Sequence, residues 1–322
     1  MVFETFFKIK FIEKKPAYAF LMGLFYSFIG YYSARFIFPN SVGLMTVGFI
    51  SVLLVPTLNH LLKDEENVEI REKKYNLIKL FNDHRDIFEI YLFLFLGIFL
   101  FYYFIGAFNS ELFLIKNFLP QLKIIGITGK AFDNIFFFSI LKNNLIVFSV
   151  CLILSLVYGA GSIIFLTWNA SVWGIVFGYF FQQSIHSVNP LFSFFLFLLP
   201  IFPHFFFESL SYFVSIISGG VLSKAILREE LFSRKFNHVL TDALLLAGFG
   251  FILIIIAAFI EVYFPSLSLN VIYIFSGIMI SLFIIFLLWL YFGKNHYHHY
   301  HISPLIKKNY KYRRKKRKYR DL

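Results

Sequence analysis

The sequence predicts an all-α fold: a polytopic transmembrane helix bundle of about eight spans, with one helix broken or re-entrant just before the sixth. Three observations carry this. Hydrophobic residues make up 59% of the chain and charged residues 15%, whereas soluble domains sit near ~45–50% and ~25%. The mean hydropathy is +0.73. Eight apolar runs approach or reach the ~20 residues that a helix needs to cross a bilayer. A soluble enzyme with a single anchor is thereby excluded. Cys151 is the one cysteine, which removes disulfides and cysteine-based zinc sites.

The runs divide the chain. Residues 1–134 form an N-terminal membrane region with three spans, Ala17–Phe38, Val42–Leu62 and Ile87–Phe108. The first is too long for a cleaved signal peptide and reads as a retained span. A charged connector, 63–86, separates the second from the third, and an interfacial segment, 109–134, follows the third. Residues 135–264 form a membrane core with spans Asn144–Tyr158, Ile163–Phe181, His204–Leu222 and Leu240–Val262. The last span, Val271–Phe292, lies in 265–293, and a basic tail occupies 294–322.

Orientation follows from the asymmetry of Lys and Arg. With the N-terminus in the cytoplasm, 25 of the 30 Lys and Arg fall on the cytoplasmic side. Only Arg35, Lys116, Lys123, Lys130 and Lys142 fall outside. The expected location is the cell membrane, multi-pass, with both termini cytoplasmic. The joint that tests the parity is Val157–Ser162, "VYGAGS", which has no charge. Gly159 and Gly161 supply the backbone freedom of a tight helix-to-helix turn there. Lys142 and Asn143 stand at the outer end of the short fourth run, where they snorkel or help to cap it.

Before the sixth span, Leu191 to Gly219 would make a helix of about 43 Å, longer than the ~30 Å hydrocarbon core. Pro200 and Pro203 are expected to break it, leaving Leu191–Leu199 as a half-helix. Pro203 just before His204 suits a helix N-terminus. His204 and Glu208, four residues apart, share a helix face. An ionisable pair in a span faces the bundle interior. It reads first as a hydrogen-bonded pin for the broken helix, and second as a proton relay, ion ligand or partner site. Asn143, Asn144 and Asn169 are candidate third partners. Gly174 and Gly178 make a GxxxG pair, which serves either internal packing or a homodimer. Gly219 and Gly220 are expected to cap the inner end of the span.

Two other strings point to little chemistry. Glu229, Glu230 and Arg234 match the EExxxR string of CAAX-type intramembrane proteases, but they stand in a charged loop. That reading is disfavoured and no enzyme activity is expected. The tail carries His296, His298, His299 and His301 without a nearby carboxylate or cysteine, so no metal or cofactor is expected. Its Lys307, Lys308, Arg313, Arg314, Lys315, Lys316, Arg317 and Lys318 form a basic surface for anionic lipid headgroups. Nucleic acid is the rival partner, because tyrosines interleave the charges. The lipid surface is preferred because the tail leaves a membrane span.

Taken in order, "LKNNL" (141–145), "YGAGS" (158–162), "TWNASVWGIVFGY" (167–179), "FPHFFFESLSY" (202–212) and "SGGVLS" (218–223) resemble the stage II sporulation protein M family in its archaeal form. The resemblance covers about 135–264, and the N-terminal spans also look like those of archaeal members. It marks Asn143, Asn144, Gly159, Gly161, Asn169, Gly174, Gly178, Pro203, His204 and Glu208 as signature positions. Phe205 stands where the family leads one to expect a glycine. The resemblance implies a non-enzymatic membrane scaffold, since the sporulation member holds peptidoglycan-cutting enzymes without being the hydrolase. The expected partners are the bilayer, anionic headgroups and unidentified membrane or outer-face proteins, with a homo-oligomer left open. A transporter or channel-like component, using the broken helix and His204/Glu208 as a polar path, is the alternative. A polar line from Lys142 through Asn169 to His204 would favour it, and a closed core around His204 would favour the scaffold.

Overall fold

The computed structural model describes residues 12, 15–69, 85–123 and 134–293. Most of the 63–86 connector, the 124–133 part of the interfacial segment and the whole basic tail lie outside these residues. Among the described residues the fold is helical and contains no strand. The helices are α1 (Tyr18–Ile37), α2 (Val42–Glu69), α3 (Arg85–Phe108), α4 (Glu111–Leu122), α5 (Asn134–Tyr158), α6 (Ile163–Ile185), α7 (Pro190–Arg228), α8 (Arg234–Tyr263) and α9 (Leu269–Gly293). Short 3-10 turns, Gly159–Ser162 and Phe264–Ser266, join α5 to α6 and follow α8.

Among the described residues seven helices, α2, α3 and α5 to α9, are long and apolar enough to cross a membrane. The first apolar run also forms a helix, α1, but Tyr18, Tyr26, Tyr31, Tyr32 and Arg35 lower its apolarity. It still packs alongside α3. Added Cβ atoms at Gly23 and Gly97 would overlap the Leu94 and Phe20 carbonyl oxygens, and Tyr31 meets Phe101 edge-on at 5.8 Å. The numbers rise together on both helices, so α1 and α3 run parallel.

The chain packs as two units, Met1–Ser276 and Gly277–Leu322, with the boundary inside α9. The described part of the second unit is the C-terminal stretch of that helix. Within the first unit, α1 to α4 do not form a body of their own. The most extensive helix pairs are α3 with α6 and α7 with α8. Helix α4 starts at Ser110, whose Oγ accepts from the Phe113 N–H, an ordinary N-cap. It buries Leu114, Phe118 and Gln121, and kinks at Phe118, two residues ahead of Pro120.

Two expectations about spans need correction. The fourth span begins at Phe137, not Asn144, in a helix that starts at Asn134, so Lys142 and Asn143 lie inside α5 and cap nothing. The larger change concerns α7, whose 39 residues are helical throughout, with Pro200 and Pro203 inside. The half-helix expected over Leu191–Leu199 is simply its first part. Each proline removes one N–H donor, but in apolar surroundings no water competes for the remaining backbone groups, and the helix is the conformation that satisfies them. At 1.5 Å per residue α7 is about 58 Å long, well beyond a ~30 Å hydrocarbon core. Its N-terminus is not Pro203 but Pro190, where the Asn189 side chain accepts from the Phe192 N–H.

Candidate functional site

The site grows from one stripe of α7. His204, Glu208, Ser211, Ser215 and Ser218 stand at steps of three and four residues, so they line one helix face. Ser211 Oγ donates to the Gly250 carbonyl at 3.0 Å and Ser218 Oγ to the Ala243 carbonyl at 2.6 Å. Ser215 Oγ donates to the Phe148 carbonyl of α5 at 2.9 Å, and Ser155 of α5 donates back to the Ile216 carbonyl at 2.5 Å. Between apolar helices such bonds contribute about 0.6–2 kcal/mol each. The stripe therefore joins α7 to the antiparallel α8 on one flank and to α5 on the other.

At the far end of this stripe sits the ionisable cluster. His204 Nε2 lies 3.4 Å from Glu208 Oε2 and 3.4 Å from Glu261 Oε2 of α8. The other ring nitrogen, Nδ1, lies 3.2 Å from the Ala257 carbonyl oxygen. A carbonyl only accepts, so Nδ1 carries a proton and donates. Tyr212 OH donates to Glu208 Oε1 at 3.0 Å. The imidazole is buried, at 7% exposure, and both carboxylates are 13% exposed. The Trp173 ring of α6 covers it edge-on at 5.9 Å.

Glu261 is the member of this cluster that sequence reasoning overlooked. Its signal was present: a carboxylate near the end of the apolar stretch Leu240–Val262. None of the asparagines expected as third partner reaches the cluster. Asn169 donates to the Phe165 carbonyl of its own helix at 3.0 Å. Asn143 donates to Asn144 Oδ1 at 3.5 Å, and the buried Asn144 Nδ2 has no hydrogen-bond partner among the described residues. Lys142 instead lines an open groove of about 420 Å³ along α5 with Phe138, Leu145 and Ile146. Hydrogen bonds among the described residues do not link Lys142 through Asn169 to His204.

The signature glycines are points of close approach. A Cβ at Gly174 would lie 2.6 Å from the Phe99 carbonyl oxygen, and one at Gly178 would overlap the Tyr103 carbonyl and sit 2.7 Å from the Ala107 nitrogen. The GxxxG pair is thus used inside the bundle, against Gly106 and its neighbours on α3. Gly219 and Gly220 do not end α7, which runs on to Arg228. A Cβ at Gly219 would stand 2.5 Å from the Leu152 carbonyl of α5, and one at Gly220 2.8 Å from Leu62 of α2. Gly159 has φ +58°, the left-handed turn conformation that suits glycine, in the 3-10 turn that also holds Gly161. Asn59 Oδ1 accepts from the Ala160 N–H at 3.3 Å and from Lys224 Nζ at 2.9 Å, tying this turn to α2 and α7.

Phe205 fills space that a glycine would leave open. Its ring lies 5.2–6.1 Å from Trp173, Phe177, Phe95, Phe99 and Phe202, which welds α3, α6 and α7 together beneath His204. Glu229 and Glu230 stand in the α7–α8 loop, with Arg234 opening α8, and Glu229 pairs loosely with Lys235 at 3.8 Å. Among the described residues no group of three or more His, Cys, Asp or Glu is arranged to hold a metal ion. What the cluster can do is hold charge and hydrogen bonds between helices.

The family model described as stage II sporulation protein M matches residues 90–266, more than half of the 322 residues. The match takes in α3, well ahead of the motif-bearing stretch that starts near residue 135, in keeping with the close packing of α3 on α6. No curated protein and no solved structure matches the chain.

Proposed function

Since the chain belongs to the stage II sporulation protein M family, we propose that it works as a non-enzymatic polytopic scaffold that organises partner proteins in the membrane. The observation that supports this best is the closed setting of His204. Each ring nitrogen faces protein groups, and the Trp173 ring covers it, as in a structural pin between helices. Asn169, on the polar line that would favour conduction, donates instead to the Phe165 carbonyl of its own helix. The proposed location is the cell membrane with both termini cytoplasmic, the basic tail lying on anionic headgroups. Placement in the archaeal branch belongs to this proposal and rests on the N-terminal spans. Protease chemistry at Glu229, Glu230 and Arg234 is disfavoured because the two glutamates stand in the loop between α7 and α8 rather than inside a span, with Arg234 at the first position of α8.

Quantitative affinity purification of the full chain from cross-linked membranes tests the scaffold. Specific protein partners at near-stoichiometric levels are expected. The second reading, a transporter or channel-like component, draws on ionisable groups within spans. Reconstituted vesicles separate the two: proton or ion flux that disappears in Glu208→Gln would overturn the scaffold reading. For the tail, isolated peptide is expected to prefer anionic over neutral vesicles, and less so at high salt; equal binding to both would remove the lipid assignment.

A further inference from the structure

We propose that His204, Glu208 and Glu261 form a binding site for one exchangeable proton, and that this proton ties α7 to α8. The argument is one of donors and acceptors. Nδ1 must donate to the Ala257 carbonyl oxygen. In a neutral ring that leaves a lone pair on Nε2. Nε2, however, faces two carboxylate oxygens, each 3.4 Å away. An ionised carboxylate only accepts hydrogen bonds, so a neutral ring between two carboxylates sets three acceptors against one another. One proton at Nε2 turns that repulsion into attraction on both sides.

The two carboxylates are not equivalent. Glu208 belongs to the same helix as His204 and already accepts from Tyr212 OH. Glu261 comes from α8, and among the described residues its partner is His204. The Nδ1–H bond to Ala257, also of α8, does not depend on this proton; the Nε2 proton adds the charged link from α7 to Glu261 of α8 at this end of their contact. At the other end, Ser211 and Ser218 hold α7 to α8 by neutral hydrogen bonds that do not titrate. The remaining groups near the cluster are Tyr212 of α7, Cys151 of α5, which lies within electrostatic reach of Tyr212, and the Trp173 ring of α6. None of them supplies a second cation.

The sign follows from linkage. The packed helices hold a proton that the separated helices release, and stability falls with rising pH wherever the native state binds more protons. The test is the melting temperature of the full chain in nanodiscs between about pH 6 and pH 9, the range around ordinary histidine titration, with a chelator present. Wild type is expected to lose several degrees more than Glu261→Gln across that range. The glutamine amide can donate to the Nε2 lone pair, so the variant needs no proton. Equal slopes for the two proteins would overturn the proposal. So would zinc, added in place of chelator, restoring the alkaline melting temperature of wild type but not of Glu261→Gln, because the occupant would then be a metal. Should the variant not fold, histidine ¹⁵N NMR of the wild-type chain decides. A His204 ring with both N–H protons at pH 6 and one at pH 9 supports the site, and a ring unchanged over that range overturns it.

Discussion

At His204 the consequences of a single truncation can be reasoned from its neighbours. Removing the imidazole strands Glu208 and Glu261, both largely buried, with like charges close together. Breaking a buried charged pair by deleting one partner costs about 3–5 kcal/mol. His204→Ala is therefore expected to lower the melting temperature or folded yield sharply. The double change His204→Ala with Glu261→Ala should cost less than the sum of the singles, because each single orphans the other. Strictly additive losses in that cycle would show that the two residues do not act together. Only half of this was legible beforehand. The i, i+4 spacing brought out His204 and Glu208, since both lie on one helix. Glu261 lies 53 positions beyond Glu208 in sequence, and no local pattern links them.

Among the helices, the glycines separate contact from mere presence. At Gly178 an added side chain meets backbone atoms of α3, which cannot swing aside. At Gly248 of α8 a Cβ would meet nothing within 4 Å. Gly178→Val is expected to force α3 and α6 apart, costing about 1–3 kcal/mol through overpacking. Gly248→Ala is expected to be neutral or to stabilise by up to ~1 kcal/mol, from helix propensity. Thermal melts of the two variants in one detergent check both, and a Gly178→Val protein as stable as wild type would refute the close approach. The long α7 belongs to this scale too. Prolines are read as helix breakers because in water the freed carbonyls find other partners. Between apolar helices those partners are missing, and the helix continues through Pro200 and Pro203.

For the whole molecule the open quantity is parity. Among the described residues seven helices meet the length and apolarity of a span, an odd number, so the parity turns on whether α1 also crosses. Helix α1 runs parallel to the spanning α3 and touches it from Phe20 to Tyr31. Its 20 residues make about 30 Å, enough to cross. Eight crossings and two cytoplasmic termini are therefore expected. Protease or a membrane-impermeant label applied to intact cells should reach neither the N-terminus nor the tail after Lys294. Labelling of one terminus but not the other would mean that α1 does not cross, and labelling of the tail would reverse the charge-based orientation.

The apolar runs, the basic asymmetry and the Gly159–Ser162 turn are one-dimensional properties. A backbone in lipid must satisfy its own hydrogen bonds, and a helix does so within a single stretch of chain, so the all-α class and the positions of most helices were determined by sequence alone. Which side chains complete the His204 cluster was not. That depends on which face of α8 lies against α7, and the choice is made by the serine-to-carbonyl bonds and the glycine contacts along the whole helix pair. The same holds for Gly219 and Gly220. In sequence they resemble a helix end, and only the approach of α5 and α2 makes them a point of contact. Tertiary packing alone brings Glu261 to His204, and with it the proposed site for a proton between two helices.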